Sequence, residues 1–331
     1  MVKIGRDFGI SGRLFLHIQS FLTNRFARFK IDNCFGDWIE SIIGTSAGTR
    51  LGSLLFIMYL HDVPRSITLK CADDLVAVVV GEDMQCVVGK LQHAADQLAE
   101  WSKDADMVLN AAKTKVMIFG NRDEEVKITI EGSVVEKVNS YKYLGVILDV
   151  NLDFGLHVEH AVAKARRASA KVSSLIDGRN GLPVHIGIDL YKVLVRPHLE
   201  YALPVWASIC DEDLRKLEDL QLQCIKRVLG TKAHSSSAIG VISSVIPFGI
   251  RKRELCCREY IRIISEGHNH PLMQLFNCTT RVGLKFCPME YIRIMSRQLQ
   301  RQLQGSVFQS VQRSHSVQVK MSRSNNSCRY L

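Results

Sequence analysis

The amino-acid sequence predicts an α+β fold: an antiparallel sheet with packed helices over residues 1–150, followed by a helical region over residues 151–297. Three observations carry that expectation. In the first part, β-rich runs flanked by Gly, Asn and Asp alternate with single amphipathic helices, the order of a sheet layered with helices. From about His157 helical stretches follow one another and strand-like runs become scarce, as in a bundle. The composition, 47% hydrophobic and 23% charged, is that of a folded chain.

The elements are read in order. Leu14 to Arg25 places Leu14, Ile18, Phe21 and Leu22 at helical spacing. Two short strands, around Phe26 to Ile31 and Trp38 to Ile43, are joined by Asp32-Asn33 and Gly36-Asp37. A glycine-punctuated loop, Gly44 to Thr49, leads into an apolar helix over Leu54 to Leu60, ended by Pro64. Ile67 to Ala72 and Leu75 to Val80 form two strands around the turn Asp73-Asp74. Val87, Val88, Leu91, Ala95, Leu98 and Trp101 mark a helix lying on the sheet. Lys115 to Phe119, Val126 to Ile130 and Tyr143 to Leu148 are further strands. The helices are His157 to Ile176, Val184 to Val195, Leu214 to Leu229 and Arg251 to Ser265. Residues 298–331 turn polar and repetitive in Gln, Ser, Arg and Val and read as a disordered tail, having little to bury.

The net charge of +10 and the isoelectric point near 9.1 favour a polyanionic partner, because phosphate contacts release condensed counterions. An anionic membrane surface attracts the same charge. The longest apolar run, Leu51 to Leu60, contains Gly52 and Ser53 and is too short to span a bilayer. No secretory signal opens the sequence. These features fit an intracellular protein of nucleus or cytoplasm, neither secreted nor membrane-borne. The 10 cysteines, among them Cys34, Cys71, Cys86, Cys210, Cys224, Cys256, Cys257 and Cys278, show no C-x-x-C pair and no disulfide framework, and read as buried free thiols.

The sharpest chemical feature is the carboxylate pair Asp73-Asp74. Two carboxylates projected from a hairpin tip suit Mg2+, a hard ion that takes oxygen ligands, and two such ions can serve phosphoryl transfer. An Asp-Asp pair also makes an ordinary turn, so the pair alone assigns nothing.

Its neighbours add to it. The loop Gly44 to Gly52 with the run to Phe56, then Tyr59 to Pro64, then Cys71-Ala72-Asp73-Asp74, follow one another in order. Leu109-Asn110 with Lys113 to Gly120, Tyr141 to Val146, and Arg196 to Ala202 with Trp206 come next. In that order the chain resembles the polymerase domain of reverse transcriptases from non-LTR, jockey-like retrotransposons, across Leu14 to about Leu229. The resemblance implies a partial polymerase palm over residues 1–150 and an α-helical thumb after it. It implies RNA-directed DNA synthesis with Mg2+ held by Asp73 and Asp74, and partners that are an RNA template, a DNA primer or RNA–DNA hybrid, and deoxynucleoside triphosphates. No obligate protein partner follows. Lys113 is then the candidate for aiding pyrophosphate departure, and Gly48, Thr49, Tyr143, Leu144 and Gly145 are candidates for nucleotide or nucleic-acid contact. Lys164, Arg167 and Lys171, with Arg166, would track a backbone from the thumb, although a solvated helix face has the same pattern.

The sequence departs from the family in two ways. The family carries a further metal-binding Asp on a strand before the helix at Leu14; only Met1 to Arg13 precede that helix, and Asp7 has no apolar strand leading into it. The glycine loop carries Ser46-Ala47 where Pro-Gln is usual. The expectation is an N-terminally truncated fragment that is inactive by itself and, with a sheet edge open, poorly soluble. The alternatives are a basic nucleic-acid-binding remnant and a relic without function. His157, His160 and His198 have no metal-ligand spacing and read as structural, and Trp206 and Tyr201 as core aromatics.

Overall fold

The computed structural model describes residues 7–41, 44–46, 48–66, 69–119, 125–176, 182–232 and 236–267. The predicted tail and Cys278 lie outside the described residues. The chain divides into two compact units, Met1–Val116 with Glu124–Lys137, and Met117–Asp123 with Val138–Leu331.

In the first unit, helix α1 (Gly12–Leu22) ends earlier than expected, since Thr23 leaves helical geometry. Its buried Ile18 packs with Leu55 of helix α2 (Arg50–Tyr59), flanked by Phe21, Leu22 and Met58. Four two-residue strands follow α1: β1 (Phe26–Ala27), β2 (Lys30–Ile31), β3 (Cys34–Phe35) and β4 (Ile39–Glu40). β1 pairs with β4 and β2 with β3, both antiparallel. The two expected strands are therefore one interrupted hairpin. Arg28 and Phe29 on one side oppose Gly36, Asp37 and Trp38 on the other, and this extra residue is a bulge. Of the expected second strand, Ile42 and Ile43 lie outside the described residues.

Strands β5 (Leu69–Cys71) and β6 (Asp74–Val76) pair antiparallel, with Cys71 opposite Asp74. The turn is thus Ala72-Asp73, one residue earlier than expected, and the second strand stops at Val76 rather than Val80. Ala72 adopts φ 51, the left-handed geometry that a two-residue hairpin demands at its first turn position. Helix α3 (Met84–Asp104) starts earlier than its apolar pattern because Asp83 caps it, accepting from the Cys86 N–H at 2.8 Å. Trp101 on α3 packs with Leu60, Val63 and Ala105.

The remaining strands are short: β7 (Lys115–Val116), β8 (Thr129–Ile130), β9 (Ser133–Val134) and β10 (Glu136–Lys137). β10 pairs with β7 in parallel. Among the described residues the strands form six two-stranded sheets, five antiparallel and one parallel, in place of the single antiparallel sheet expected. The chain is a mixture of helix and strand.

The second unit opens with a hairpin, β11 (Ser140–Tyr143) and β12 (Val146–Asp149). This corrects the single strand read over Tyr143 to Leu148. Leu144 and Gly145, at φ 44 and 85, form a turn with both central residues left-handed, the type that matches strand twist. Helix α4 (Gly155–Ile176) is long and buries Val158, Ala161, Ala165 and Val172 on one face. Next come α5 (Val184–Leu190), a π-helical turn (Tyr191–Val195) and α6 (Arg196–Glu200). Pro197 accounts for the π turn: it has no N–H to donate to Val193, so the ladder slips and Arg196 N–H reaches Tyr191 O.

Helix α7 (Asp211–Leu229) starts with three acidic residues and ends with Lys226, Arg227 and a left-handed Gly230, all in keeping with the helix dipole and C-cap geometry. Helices α8 (Ser236–Ser243) and α9 (Phe248–Glu266) follow. The core of this unit joins Phe154, Val158, Tyr191, Leu199, Leu203, Trp206, Leu217, Ile225 and Phe248, each large apolar side chain contributing roughly 1.5–3 kcal/mol. Arg251 clamps Glu200 with two hydrogen bonds, Nε to Oε1 at 2.8 Å and Nη2 to Oε2 at 3.1 Å, tying α9 to α6. Trp206 is buried as expected; Tyr201 is exposed. Among the described residues the thiols depart from expectation: Cys34, Cys71, Cys86 and Cys210 are exposed, Cys257 is intermediate, and Cys224 and Cys256 are buried.

Candidate active site

Two pieces of the first unit meet at an open cleft of about 440 Å³. One is the glycine loop, contributing Thr45, Ser46 and Gly48, with Gly52 and Phe56 from α2; the other is the turn Ala72-Asp73. The loop is fixed by Thr49. Its Oγ1 accepts from the Gly52 N–H at 3.1 Å and donates to Ser46 O at 2.8 Å, so one hydroxyl both caps α2 and closes the loop. Gly48 is left-handed at φ 78. Gly52 is buried, and a Cβ there would lie 2.7 Å from Thr49 Oγ1 and 2.8 Å from Ser46 O. Glycine is required for the loop to fold back onto the helix.

The carboxylate hairpin is positioned by contacts that sequence reasoning did not find. Lys70, on β5, donates its ammonium to the carbonyls of Leu60 and Val63, each at 3.3 Å, holding the hairpin to the end of α2. Asp62 in that same turn accepts from Trp101 Nε1 at 3.1 Å, and Tyr59 donates its hydroxyl to Ala105 O. A lysine one residue before Cys71, in an otherwise apolar strand, was the available signal. Asp73 sits in the turn and lines the cleft; Asp74 is the first residue of β6; both are exposed. Their oxygens are a donor set suited to Mg2+, but among the described residues no group of three His, Cys, Asp or Glu side chains converges on an ion site. Lys113 is exposed in a turn, its backbone N–H donating to Asn110 Oδ1 at 3.0 Å, and it does not line the cleft.

The other candidates lie in the second unit. Tyr143 ends β11, and Leu144 and Gly145 are the hairpin turn. Tyr201 holds that turn: its hydroxyl donates to Leu144 O at 2.8 Å, and a Cβ on Gly145 would lie 2.9 Å from the Tyr201 ring. Trp206 Nε1 donates to Tyr201 O at 2.8 Å, and His157 packs edge-on against Trp206 with ring centroids 5.0 Å apart. His157 Nδ1 accepts from the Ile147 N–H at 3.2 Å. Burial, then the nearby His160, Lys164 and Lys142, lower the His157 pKa to about 4, so it serves as a neutral structural acceptor. Asp149, also missed in the sequence, is buried and accepts from the N–H groups of Asn151, Asp153 and Phe154 at 3.0, 3.3 and 3.1 Å.

On α4, Lys164, Arg167 and Lys171 are exposed and share one stripe at helical spacing. His160 lies on it too, and its pKa is lowered by burial, then by Lys164, Lys142 and Arg167. Lys142 of β11, also exposed, acts on the same imidazole. Arg166 points elsewhere, into a shallow groove with Glu159 and Lys216, so it leaves the face it was expected to share.

Residues 6–148 match the family described as reverse transcriptase (RNA-dependent DNA polymerase). The chain is 26% identical over 230 residues to the RNA-directed DNA polymerase from mobile element jockey of Drosophila melanogaster, covering 66% of this chain and 25% of that protein. The Drosophila funebris protein of the same name is 28% identical over 235 residues, covering 67% and 25%. The probable RNA-directed DNA polymerase from transposon X-element of Drosophila melanogaster is 25% identical over 222 residues, covering 64% and 24%. The chain thus spans about a quarter of the length of these relatives. No solved structure matches it. No helix among the described residues is long and apolar enough to cross a membrane.

Proposed function

We propose, from the match of residues 6–148 to the reverse transcriptase family, that Asp73 and Asp74 are carboxylates of a Mg2+ site for RNA-templated DNA synthesis. The observation that carries this reading is the shared cleft: the glycine loop and the turn bearing Asp73 line one cavity, leaving a nucleotide or template base room beside the carboxylates. When bound, Mg2+ would neutralise developing phosphate charge. The chain's own part is to hold the two carboxylates rigid through Lys70 and to shape the wall through Thr49 and Gly52. Gly48 and Thr49 then act at the nucleotide side. Tyr143, Leu144 and Gly145 serve the nucleic acid as a turn braced by Tyr201. Lys113 supplies a cation for departing pyrophosphate from outside the cleft lining. Under this reading residues 1–150 are the partial palm and residues 151–297 the helical thumb.

Two carboxylates exposed at a hairpin tip hold a divalent ion weakly by themselves, and on this reading the chain alone does not sustain synthesis. Purified chain is given an RNA template, a DNA primer, deoxynucleoside triphosphates and Mg2+. Extension no greater than that of the Asp73→Asn, Asp74→Asn variant is expected. Extension abolished by that substitution would overturn the inactivity, and extension that survives it would overturn the role of the two carboxylates.

A second reading rests on the stripe Lys164, Arg167 and Lys171, together with the exposed Lys142: a basic nucleic-acid-binding function that needs no metal. Binding to RNA–DNA hybrid would then weaken steeply with salt, by roughly 0.7–0.9 in log–log slope for each phosphate neutralised. A slope unchanged by Lys164→Ala with Arg167→Ala removes this reading.

A further inference from the structure

The hairpin formed by β1 to β4 carries a feature that the carboxylate cleft does not use. Side chains alternate between the two faces of a hairpin, and the pairing of Lys30 with Phe35 and of Phe26 with Glu40 sorts them. Phe26, Arg28, Lys30, Phe35, Trp38 and Glu40 share one face. The bulge opposite Arg28 and Phe29 bends the hairpin and brings Arg28 between two rings. Its Cζ lies 4.0 Å from the Phe35 centroid and 4.5 Å from that of Trp38, while Lys30 Nζ lies 5.4 Å from Phe35. Large aromatics are normally withdrawn from water, yet Phe35 is 52% and Trp38 62% exposed.

We propose that this face of the hairpin is a stacking platform for single-stranded nucleic acid, Phe35 and Trp38 receiving bases while Arg28 and Lys30 meet the backbone. Charge decides the occupant: the face holds two cations against one carboxylate, Glu40 at its base. An apolar protein segment fits the opposite face better, where Phe29, Ile31 and Ile39 are exposed without a cation among them. Aromatic rings interleaved with cations are the chemistry of sequence-tolerant strand binding, since every base presents a π face and every nucleotide a phosphate. The choice of nucleic acid as partner rests on the polymerase reading above; the platform itself does not require Asp73 or Asp74.

The test uses the whole chain and intrinsic fluorescence. Of its three tryptophans, Trp101 and Trp206 are buried and Trp38 is exposed, so quenching of the solvent-exposed emission reports on this face. A single-stranded uridine 12-mer is titrated at constant salt, with a duplex RNA of equal length as comparison. The single strand is expected to quench Trp38 and to bind more tightly than the duplex. Trp38→Ala and Phe35→Ala, read by anisotropy of labelled RNA, should each weaken binding about tenfold, and Trp38→Phe should restore most of it. The Asp73→Asn, Asp74→Asn variant should bind as wild type, which separates failure of this platform from failure of the metal-site reading. Absence of quenching, equal affinity of Trp38→Ala and wild type, or a Trp38→Ala variant that changes only the sedimentation of the chain would each overturn the proposal, the last by assigning the face to a second copy.

Discussion

Acid should loosen the second unit through one residue, His157. Its Nδ1 accepts from the Ile147 backbone while its ring packs on Trp206, and burial with nearby His160, Lys164 and Lys142 lowers its pKa to about 4 from an ordinary 6.5. A base held neutral in the fold but free to protonate when unfolded makes the unfolded state bind more protons between those values. Stability therefore falls as pH drops from about 6.5 towards about 4 and is unaffected by this group above 6.5. Linkage gives a loss of about 1.4 kcal/mol at pH 5.5 and about 2.5 kcal/mol at pH 4.5, approaching roughly 3 kcal/mol at lower pH. Urea unfolding at pH 7.5, 6.5, 5.5 and 4.5 measures it. His157→Asn keeps an acceptor near the Nδ1 position without a titrating ring, so its stability should fall less with acid by those amounts. If the two pH profiles run parallel, His157 is not the neutral buried acceptor described.

Four substitutions probe the other close contacts. Gly52→Ala places a Cβ 2.7 Å from Thr49 Oγ1 and 2.8 Å from Ser46 O; it should destabilise the first unit by roughly 1–3 kcal/mol as an overpacked site, read as a lowered melting temperature. Gly145→Ala combines φ 85 with a Cβ 2.9 Å from the Tyr201 ring, and should cost about 2–4 kcal/mol in urea, while Tyr201→Phe costs only about 1 kcal/mol for the lost hydroxyl bond. Asp149→Ala leaves the N–H groups of Asn151, Asp153 and Phe154 without their acceptor and frees Phe154 from φ 63; a loss of about 2–4 kcal/mol and faster amide exchange over residues 149–155 are expected.

The glycine loop and the Asp73 hairpin were legible because their signals are local: glycines, a capping threonine and a polar pair between β-rich runs. Even there the turn moved by one residue, because the strands rather than the carboxylates set the register, and Ala72 accepted the left-handed position. The hairpin at 140–149 was read as one strand because Leu144, an apolar residue, occupies a turn position; Gly145 was the overlooked mark. Asp149 and Lys70 act on backbone groups brought near by folding, which spacing alone cannot display. Arg166 shows the limit of reading a charge run as a face: a shift of about 100° per residue separates it from Lys164, Arg167 and Lys171. Four of the cysteines proved exposed because short hairpins and helix ends, not a thick sheet, carry them.

The account rests on Asp73 and Asp74 holding a divalent ion beside the glycine loop. Electron paramagnetic resonance of Mn2+ added to the whole chain, with an RNA–DNA hybrid and a deoxynucleoside triphosphate present, tests this most directly. The account predicts bound Mn2+ that the Asp73→Asn, Asp74→Asn variant loses while its fold and hybrid binding persist. Equal Mn2+ uptake by wild type and variant would contradict it.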